Sequence, residues 1–278
     1  MTNQTILITG ATSGIGRAAA LHLARLGHRV YATGRRLDAL EALKAEAGDL
    51  PLDVLPMDVN DEDSVAAAAR EVHRRTDGYG VDVLVNNAGF ARFGPVALVP
   101  DDELRAQFET NVFGLVRVVR AFLPAMRERG RGTIINVSSL VGRMNLILQG
   151  VYCATKHAVE ALSDSLRREV AGFGIRVSVV EPGAIRTGFE NTAGARMATY
   201  DDDPVYAPAL RRWADAGARI YRKAPGPAPV VRTIARIVRA RRPRARYVSP
   251  SWNVLTLWLV KLLPTSWADR IFRRAVGL

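Results

Sequence analysis

The sequence has few of the residues that build disulfide bonds and metal sites. Among its 278 residues there are one cysteine, Cys153, and four histidines. A lone cysteine cannot form an internal disulfide, and the cysteine and histidines show no metal-ligand spacing, so we predict no bound metal. No stretch resembles a secretory signal, and no apolar run approaches the roughly 20 residues that span a bilayer. We therefore predict a cytoplasmic protein.

Acidic residues are scarce in the last quarter of the chain. The formal net charge is +12, and only four of the 39 basic residues are lysine. Between Arg211 and Leu278 there are sixteen Lys or Arg against two Asp, whereas the first 210 residues are nearly neutral. All four tryptophans lie in this basic region as well. The asymmetry indicates either a solvated basic face or a surface for an anionic partner, a membrane or a nucleic acid.

Short apolar runs alternate with helical patterns over the first 190 residues. Strands are predicted over Thr5–Thr9, Arg29–Thr33, Val54–Val59, Val81–Val85, Thr133–Val137, Arg176–Val180 and Arg246–Ser249. Helices are predicted over Ile15–Leu26, Leu37–Ala47, Asp61–Thr76, Asp101–Arg129, Tyr152–Phe173, Arg232–Ala240 and Trp252–Leu263. Nearly continuous apolar strands between helices favour an α/β fold, a doubly wound parallel sheet of about seven strands with helices on both faces. We predict one domain over residues 1–278, with a substrate lid over 188–229 and a helical extension over 250–278.

A glycine-rich turn, Thr9–Gly16, joins the first predicted strand to the first predicted helix. Phosphate groups bind where backbone N–H donors converge at a helix N-terminus, and glycine lets the backbone approach closely. The strand before the turn and the helix after it are the context that a dinucleotide site requires. The predicted phosphate-binding residues are Gly10, Thr12, Ser13, Gly14, Ile15 and Gly16.

The residues that follow the second predicted strand indicate which dinucleotide binds. An acidic side chain there would accept hydrogen bonds from a ribose 2′-hydroxyl, but this chain has Gly34, Arg35 and Arg36. Arginine matches phosphate geometry with its forked donors, so NADP(H) is favoured over NAD. Arg36 is equally well explained as the solvated start of a helix.

These motifs, with others that follow in order, closely resemble the short-chain dehydrogenase/reductase family. The resemblance covers Thr5 to Thr187, and its motifs are Thr9–Gly16, Asp58-Val59, Asn86-Asn87-Ala88-Gly89, Asn111, Ser138-Ser139, Tyr152–Lys156 and Pro182-Gly183 with Thr187. It implies a Rossmann-type fold and an oxidoreductase that works as a homodimer or homotetramer. It also implies that Asn86 stabilises the central sheet. Further cofactor-binding positions implied by the resemblance are Asp58, Val59, Asn87, Ala88, Gly89, Pro182, Gly183, Ile185 and Thr187.

Tyr152 and Lys156 are one helical turn apart, so their side chains share a face of the predicted helix. A neighbouring ammonium favours the phenolate, so we expect Lys156 to lower the pKa of Tyr152 and to make the phenol a general acid and base. The resemblance implies that Lys156 also binds the nicotinamide ribose, that Ser139 donates to the substrate carbonyl, and that Asn111 holds a water for a proton relay. No G-x-S-x-G turn surrounds Ser139, which argues against a serine hydrolase.

The segments expected to face the substrate are apolar. They contain the predicted substrate contacts Phe90, Phe93, Met144, Leu146 and Phe189, although several of these side chains are equally suited to a core or a subunit interface. Such a lining favours a lipophilic ketone or alcohol. The sequence is similar to the steroid- and retinol-dehydrogenase branch of the family, and a 3-oxoacyl-thioester reductase of fatty-acid or polyketide type remains an alternative. A non-catalytic NADP-sensing module is a further alternative.

The predicted helix Trp252–Leu263 is apolar and follows a cluster of arginines. This pattern suits a peripheral membrane contact, but a core-covering helix or a dimer contact explains it slightly better. Since no recognised nucleic-acid-binding motif accompanies the basic residues, we predict no nucleic-acid partner.

Overall fold

A computed structural model describes residues 3–189 and 203–278 as seven strands and ten α-helices. All seven strands are parallel, in the order β3-β2-β1-β4-β5-β6-β7. The strands are β1 Thr5–Ile8, β2 Arg29–Gly34, β3 Leu52–Pro56, β4 Val83–Asn86, β5 Gly132–Val137, β6 Ile175–Pro182 and β7 Arg246–Ser249. The predicted doubly wound sheet is therefore confirmed, including its seventh strand.

The helices cover both faces of the sheet. They are α1 Gly14–Arg25, α2 Leu37–Ala47, α3 Glu62–Arg75, α4 Asp101–Phe108, α5 Gly114–Glu128, α6 Gly150–Val170, α7 Ala207–Lys223, α8 Ala228–Arg239, α9 Asn253–Leu262 and α10 Thr265–Val276. Successive β1 side chains alternate between the faces: Ile6 and Ile8 pack with α1, α2 and α8, whereas Leu7 packs with α3, α5 and α6. This two-sided burial explains why the central strands read as continuous apolar runs.

Two predicted strands are shifted along the sequence. The strand predicted over Val54–Val59 is β3, Leu52–Pro56, and the strand predicted over Val81–Val85 is β4, Val83–Asn86. Pro56 ends β3, and the buried side chain of Val59 packs against Gly114 instead of joining the sheet. The apolar residues were therefore recognised correctly, but apolar character does not distinguish strand pairing from packing beside the sheet.

The long helix predicted over Asp101–Arg129 is divided. A five-residue π-helical segment, Glu109–Phe113, separates α4 from α5. The predicted helix Tyr152–Phe173 begins earlier, at Gly150, and its last turn is a 3₁₀ helix. Wide π-helical turns are rare and occur often at functional sites. This one contains Asn111.

The C-terminal part of the chain is more helical than predicted. Helix α7 lies within the predicted lid 188–229, of which residues 190–202 fall outside the described residues. Helix α10 was not predicted, because Pro264 was interpreted only as the end of a helix, whereas it also immediately precedes a new one. No helix in residues 3–189 and 203–278 is long and apolar enough to cross a membrane.

Candidate active site

A cleft of about 910 Å³ opens at the carboxyl ends of the central strands. Parallel strands direct the turns that follow them to one edge of the sheet, and ligands of such folds bind there. Every predicted cofactor-binding, catalytic and substrate residue lines this cleft except Gly16 and Asn111. These two lie behind the lining, where they shape the turns that form it. The structure therefore brings the separate sequence motifs together.

The turn between β1 and α1 forms a cradle of closely packed backbone at its glycines. Gly10 has a positive φ of 65°, and a Cβ at this position would lie 2.8 Å from Ala88 Cα. A Cβ at Gly16 would overlap the Gly10 carbonyl oxygen and the Asn87 amide. Helix α1 begins directly after Ser13, and its first turn has no acidic residue. Close backbone and N–H groups at a helix N-terminus fit the phosphates of a dinucleotide cofactor.

The end of β4 is tied to this cradle through Thr9. The Thr9 hydroxyl accepts hydrogen bonds from the backbone N–H groups of Asn87 and Ala88, both at 2.9 Å. The Asn87 amide donates to the carbonyl oxygens of Thr9 and Gly10. Neighbouring Asn86 donates to Asn136 Oδ1 across β4 and β5 at 2.9 Å, consistent with its predicted role in the sheet. Sequence reasoning gave Thr9 and Asn136 no such roles, since these contacts join residues 50 to 79 positions apart.

One end of the cleft holds the charged groups next to β2 and β3. Arg35 and Arg36 follow β2 directly, are exposed, and line the cleft. Asp58 and Val59 follow β3 on the same edge, and Asp58 Oδ1 accepts a hydrogen bond from the Asn60 N–H at 3.0 Å. Two exposed arginines thus add positive charge to the end of the cleft that lies beside β2 and β3.

Asn111 holds the loop after β4 in place. Its amide group exchanges two hydrogen bonds with the Phe90 backbone and donates a third to Thr155 Oγ1 at 3.1 Å. Gly89 makes room for it, because a Cβ there would lie 2.9 Å from Asn111 Oδ1. The buried side chain is therefore fully engaged, and a water held by Asn111 for a proton relay stays a prediction.

Tyr152 and Lys156 lie buried on one face of α6, as their spacing predicts. Lys156 Nζ donates to the Val137 carbonyl at 3.0 Å and lies 5.8 Å from the centroid of the Tyr152 ring. Burial raises the pKa of Tyr152 well above its ordinary value, and a hydrogen bond with Ser139 partly opposes this effect. Burial also lowers the pKa of Lys156 to about 8, against the opposing effect of Glu160.

The nearby Lys156 therefore does not bring the pKa of Tyr152 below its ordinary value, contrary to what the spacing had led us to expect. The net pKa shift of the phenol is upward because desolvation of a buried phenolate outweighs the other effects. The i, i+4 spacing predicts closeness correctly, but it does not reveal that both groups lose their contact with water.

Ser139 is the second residue after β5 and faces the Tyr152 phenol. Its hydroxyl donates to the Pro182 carbonyl at 3.4 Å and accepts from the Val141 N–H at 3.3 Å. The hydroxyl of Ser138 lies in another direction, within 2.6 Å of where a Cβ on Gly142 would be. The geometry thus agrees with the choice of Ser139 over its neighbour.

Aromatic rings surround the Tyr152 side of the cleft. The centroids of Phe93 and Phe189 lie 6.0 Å and 5.8 Å from that of Tyr152, and Trp213 lies 5.1 Å from Phe93. The remaining predicted contacts, Phe90, Met144 and Leu146, also line the cleft. Together they form a large apolar compartment next to the phenol and the Ser139 hydroxyl.

The helices that close this compartment lie within the predicted lid 188–229 and the predicted extension 250–278, but sequence reasoning named none of their residues as substrate contacts. Its further lining residues are Trp213, Ala216, Gly217, Ile220 and Tyr221 of α7, Thr256 of α9, and Phe272, Ala275 and Val276 of α10. On α7, residues 213, 216, 217 and 220 have the spacing of one helix face. That periodicity is the signal that would have identified α7 as part of the site.

A partly buried ionic cluster lies beside α6. Arg246 of β7 binds Glu160 Oε2 and Asp164 Oδ2 at 2.9 Å, and Glu181 Oε1 lies 3.4 Å away. Arg143 approaches Glu181 from the other side at 3.4 Å. Burial, and then the nearby Glu160 carboxylate, raise the pKa of Glu181, and both arginines oppose this shift. The cluster links β6 and β7 to α6 one turn beyond Lys156.

Comparisons with known proteins agree with this arrangement. A model of the short chain dehydrogenase family matches residues 4–198. The chain is 34% identical over 270 residues to the probable short-chain type dehydrogenase/reductase VdlC of Helicobacter pylori, covering 97% of each protein. It is 36% identical over 282 residues to human retinol dehydrogenase 5, covering 97% of this chain and 87% of that protein.

A solved structure supports the same assignment. A short-chain dehydrogenase from Streptomyces avermitilis superimposes with a TM-score of 0.80 and 34% sequence identity, covering 99% of this chain and 98% of that one. The cleft, its motifs and these relatives together show that the chain belongs to the short-chain dehydrogenase/reductase family of NAD(P)-binding oxidoreductases.

Proposed function

We propose that this protein is an NADP(H)-dependent oxidoreductase that interconverts a carbonyl and an alcohol on a lipophilic substrate. The observation that carries the proposal is the Tyr152 phenol beside the Ser139 hydroxyl, with a glycine cradle on one side and an aromatic compartment on the other. Bound NADPH supplies the hydride for reduction. The protein's own groups hold the carbonyl and move the proton.

In the reductive direction Ser139 Oγ donates a hydrogen bond to the substrate carbonyl oxygen. Tyr152 Oη then transfers its proton to that oxygen as the alkoxide forms. The raised pKa of Tyr152 keeps the phenol protonated at neutral pH, which is the form that reduction requires. The phenolate left behind is stabilised by the nearby Lys156 ammonium and regains a proton from solvent.

The preference for NADP(H) is supported by Arg35 and Arg36. Both are exposed, line the cleft and follow β2 where an acidic residue would favour NAD. Charge-assisted hydrogen bonds to a phosphate contribute about 1.5–3 kcal/mol each. The double change Arg35→Ala/Arg36→Ala should therefore lower the preference for NADPH over NADH by at least about tenfold, measured as the ratio of kcat/KM values. Arg70→Ala, an exposed arginine of α3, is the matched control, and an unchanged ratio in the double variant would refute the assignment.

The lipophilic substrate is supported by the rings around Tyr152 and by the apolar residues of α7. The likeness to retinol dehydrogenase 5 supports the same substrate class. A panel of steroids, retinoids, aliphatic ketones and acyl thioesters, followed by NADPH absorbance, tests it. Preference for acyl thioesters would favour a 3-oxoacyl-thioester reductase, for which the basic region beyond residue 210 would suit an acidic carrier protein.

Tyr152→Phe tests the chemistry directly. Removal of the phenolic proton should reduce kcat by about 100-fold or more, while NADPH binding, measured by its fluorescence, persists. Tyr79→Phe is the matched control because Tyr79 bonds to Asp82 far from the cleft. Full activity in Tyr152→Phe would refute the role of the phenol. NADPH binding without turnover of any substrate by the intact chain would instead favour an NADP-sensing module.

A further inference from the structure

The C-terminal helices expose an unusual amount of apolar surface. Eight of the fifteen large hydrophobic side chains that are exposed among the described residues lie between residues 252 and 271. We call the following set the C-terminal apolar surface: Trp252, Val254, Leu255, Trp258, Leu259, Leu262, Trp267 and Ile271. Exposed apolar groups scattered singly are ordinary, whereas a concentration of them marks an interaction site.

The apolar residues of α9 form one face of the helix. Leu255, Trp258, Leu259 and Leu262 follow the i, i+3, i+4, i+7 spacing, and their exposed fractions range from 57% to 74%. Leu257, on another side of α9, is buried and fixes the helix to the protein. The exposed face is therefore held outward by a specific internal contact.

The charge around this surface is almost entirely positive. Asp269 is the only acidic residue after Asp215, and the exposed cations Lys261, Arg270 and Arg273 flank the apolar residues. Helix α9 has ten residues, about 15 Å in length, which is too short to span a bilayer. A short helix with Trp and Leu on one side and cations beside it has the character of one that lies in the plane of a membrane surface.

We propose that α9 and α10 dock on the surface of an anionic lipid bilayer. A second copy of this chain is a poor occupant, because it would set the cations that flank this surface, Lys261, Arg270 and Arg273, against those of the other copy. Nucleic acid would satisfy the positive charge but would leave the Trp and Leu side chains without an apolar partner. An anionic bilayer complements both the charge and the apolar surface.

Docking would also place the cleft next to the membrane. Thr256 of α9 and Phe272 of α10 line the cleft from the same helices that carry the exposed surface. Ile220 lines the cleft and is 58% exposed, so it lies at the opening. If the proposed function is correct, a lipophilic substrate would pass between the bilayer and the active site without crossing water.

Sedimentation with vesicles tests the docking. The full chain should bind phosphatidylcholine vesicles that contain phosphatidylglycerol more strongly than vesicles of phosphatidylcholine alone. Trp258→Ser/Leu259→Ser keeps the net charge and should weaken this binding by about tenfold or more, because it removes two large apolar groups from the interface. The matched control is Leu162→Ser/Phe173→Ser, two exposed apolar residues elsewhere, which should bind vesicles like the intact chain.

Each alternative gives a distinct result. The proposal fails if the intact chain does not bind anionic vesicles, or if Trp258→Ser/Leu259→Ser binds them equally well. It also fails if that variant changes the oligomeric state in analytical ultracentrifugation, or if the apolar pair is required for DNA binding instead. NADPH fluorescence confirms that each variant is folded. Vesicle binding requires no turnover, so bound but inactive protein would refute the proposed function and leave the docking intact.

Discussion

Lys156 should titrate far below an ordinary lysine. Its ammonium is fully buried, so desolvation lowers the pKa from 10.5 to about 8. Between about pH 8 and pH 10.5 the unfolded chain therefore holds a proton that the native chain has lost, and stability rises with pH across this window. At about 1.4 kcal/mol per pKa unit, the gain is about 3 kcal/mol. Lys156→Met lacks this titration. The unfolding free energy of the intact chain, measured in urea, should therefore rise relative to that of Lys156→Met by about 3 kcal/mol between about pH 8 and pH 10.5.

Nuclear magnetic resonance provides an independent measurement. With only four lysines in the chain, the Cε signal of Lys156 can be identified by its absence in Lys156→Met. Glu160→Gln should move the titration of Lys156 to a lower pH, because the Glu160 carboxylate raises this pKa. Lys44→Arg, a change on α2, should leave it unaffected. An apparent pKa of Lys156 at its ordinary value, or an upward shift in Glu160→Gln, would refute the reasoning.

Three further predictions concern other parts of the site. Gly16→Val should weaken NADPH binding at least about tenfold in a fluorescence titration, because its side chain would overlap the Gly10 carbonyl; unchanged affinity would contradict the cradle. Arg246→Met should lower the unfolding free energy in urea by about 3 kcal/mol, because it leaves buried carboxylates such as Glu160 without their partner, and a neutral effect would show that the cluster adds little. Trp213→Ala should raise the KM for a lipophilic substrate about tenfold and leave NADPH binding intact, and equal effects on both would argue against a substrate wall.

The sequence predicts the first two thirds of the molecule better than the last third. Strand–helix alternation and the motifs at strand ends locate the cleft and the part of its lining that follows the strands, because a parallel sheet collects its turns at one edge. The alternation stops after β6, so nothing in that pattern indicates that α7 and α10 close the same cleft. Arg246 was predicted only as the first residue of a strand, yet its side chain binds Glu160, 86 residues earlier. Contacts of that kind, and the burial that sets the pKa of Tyr152, depend on tertiary packing and have no local signal.

The segment that defines the family and the segment that closes the cleft hardly overlap along the chain. The family match ends at residue 198, whereas the closing helices begin at Ala207. The predicted cofactor contacts thus all lie in the first stretch, whereas the apolar compartment takes its lining from both stretches. A chimera that keeps the first stretch and takes the second from a relative should inherit its donor's substrate range while retaining its own coenzyme. Exchange of the second stretch would thus change which substrates bind, while the residues proposed for hydride transfer stay in place.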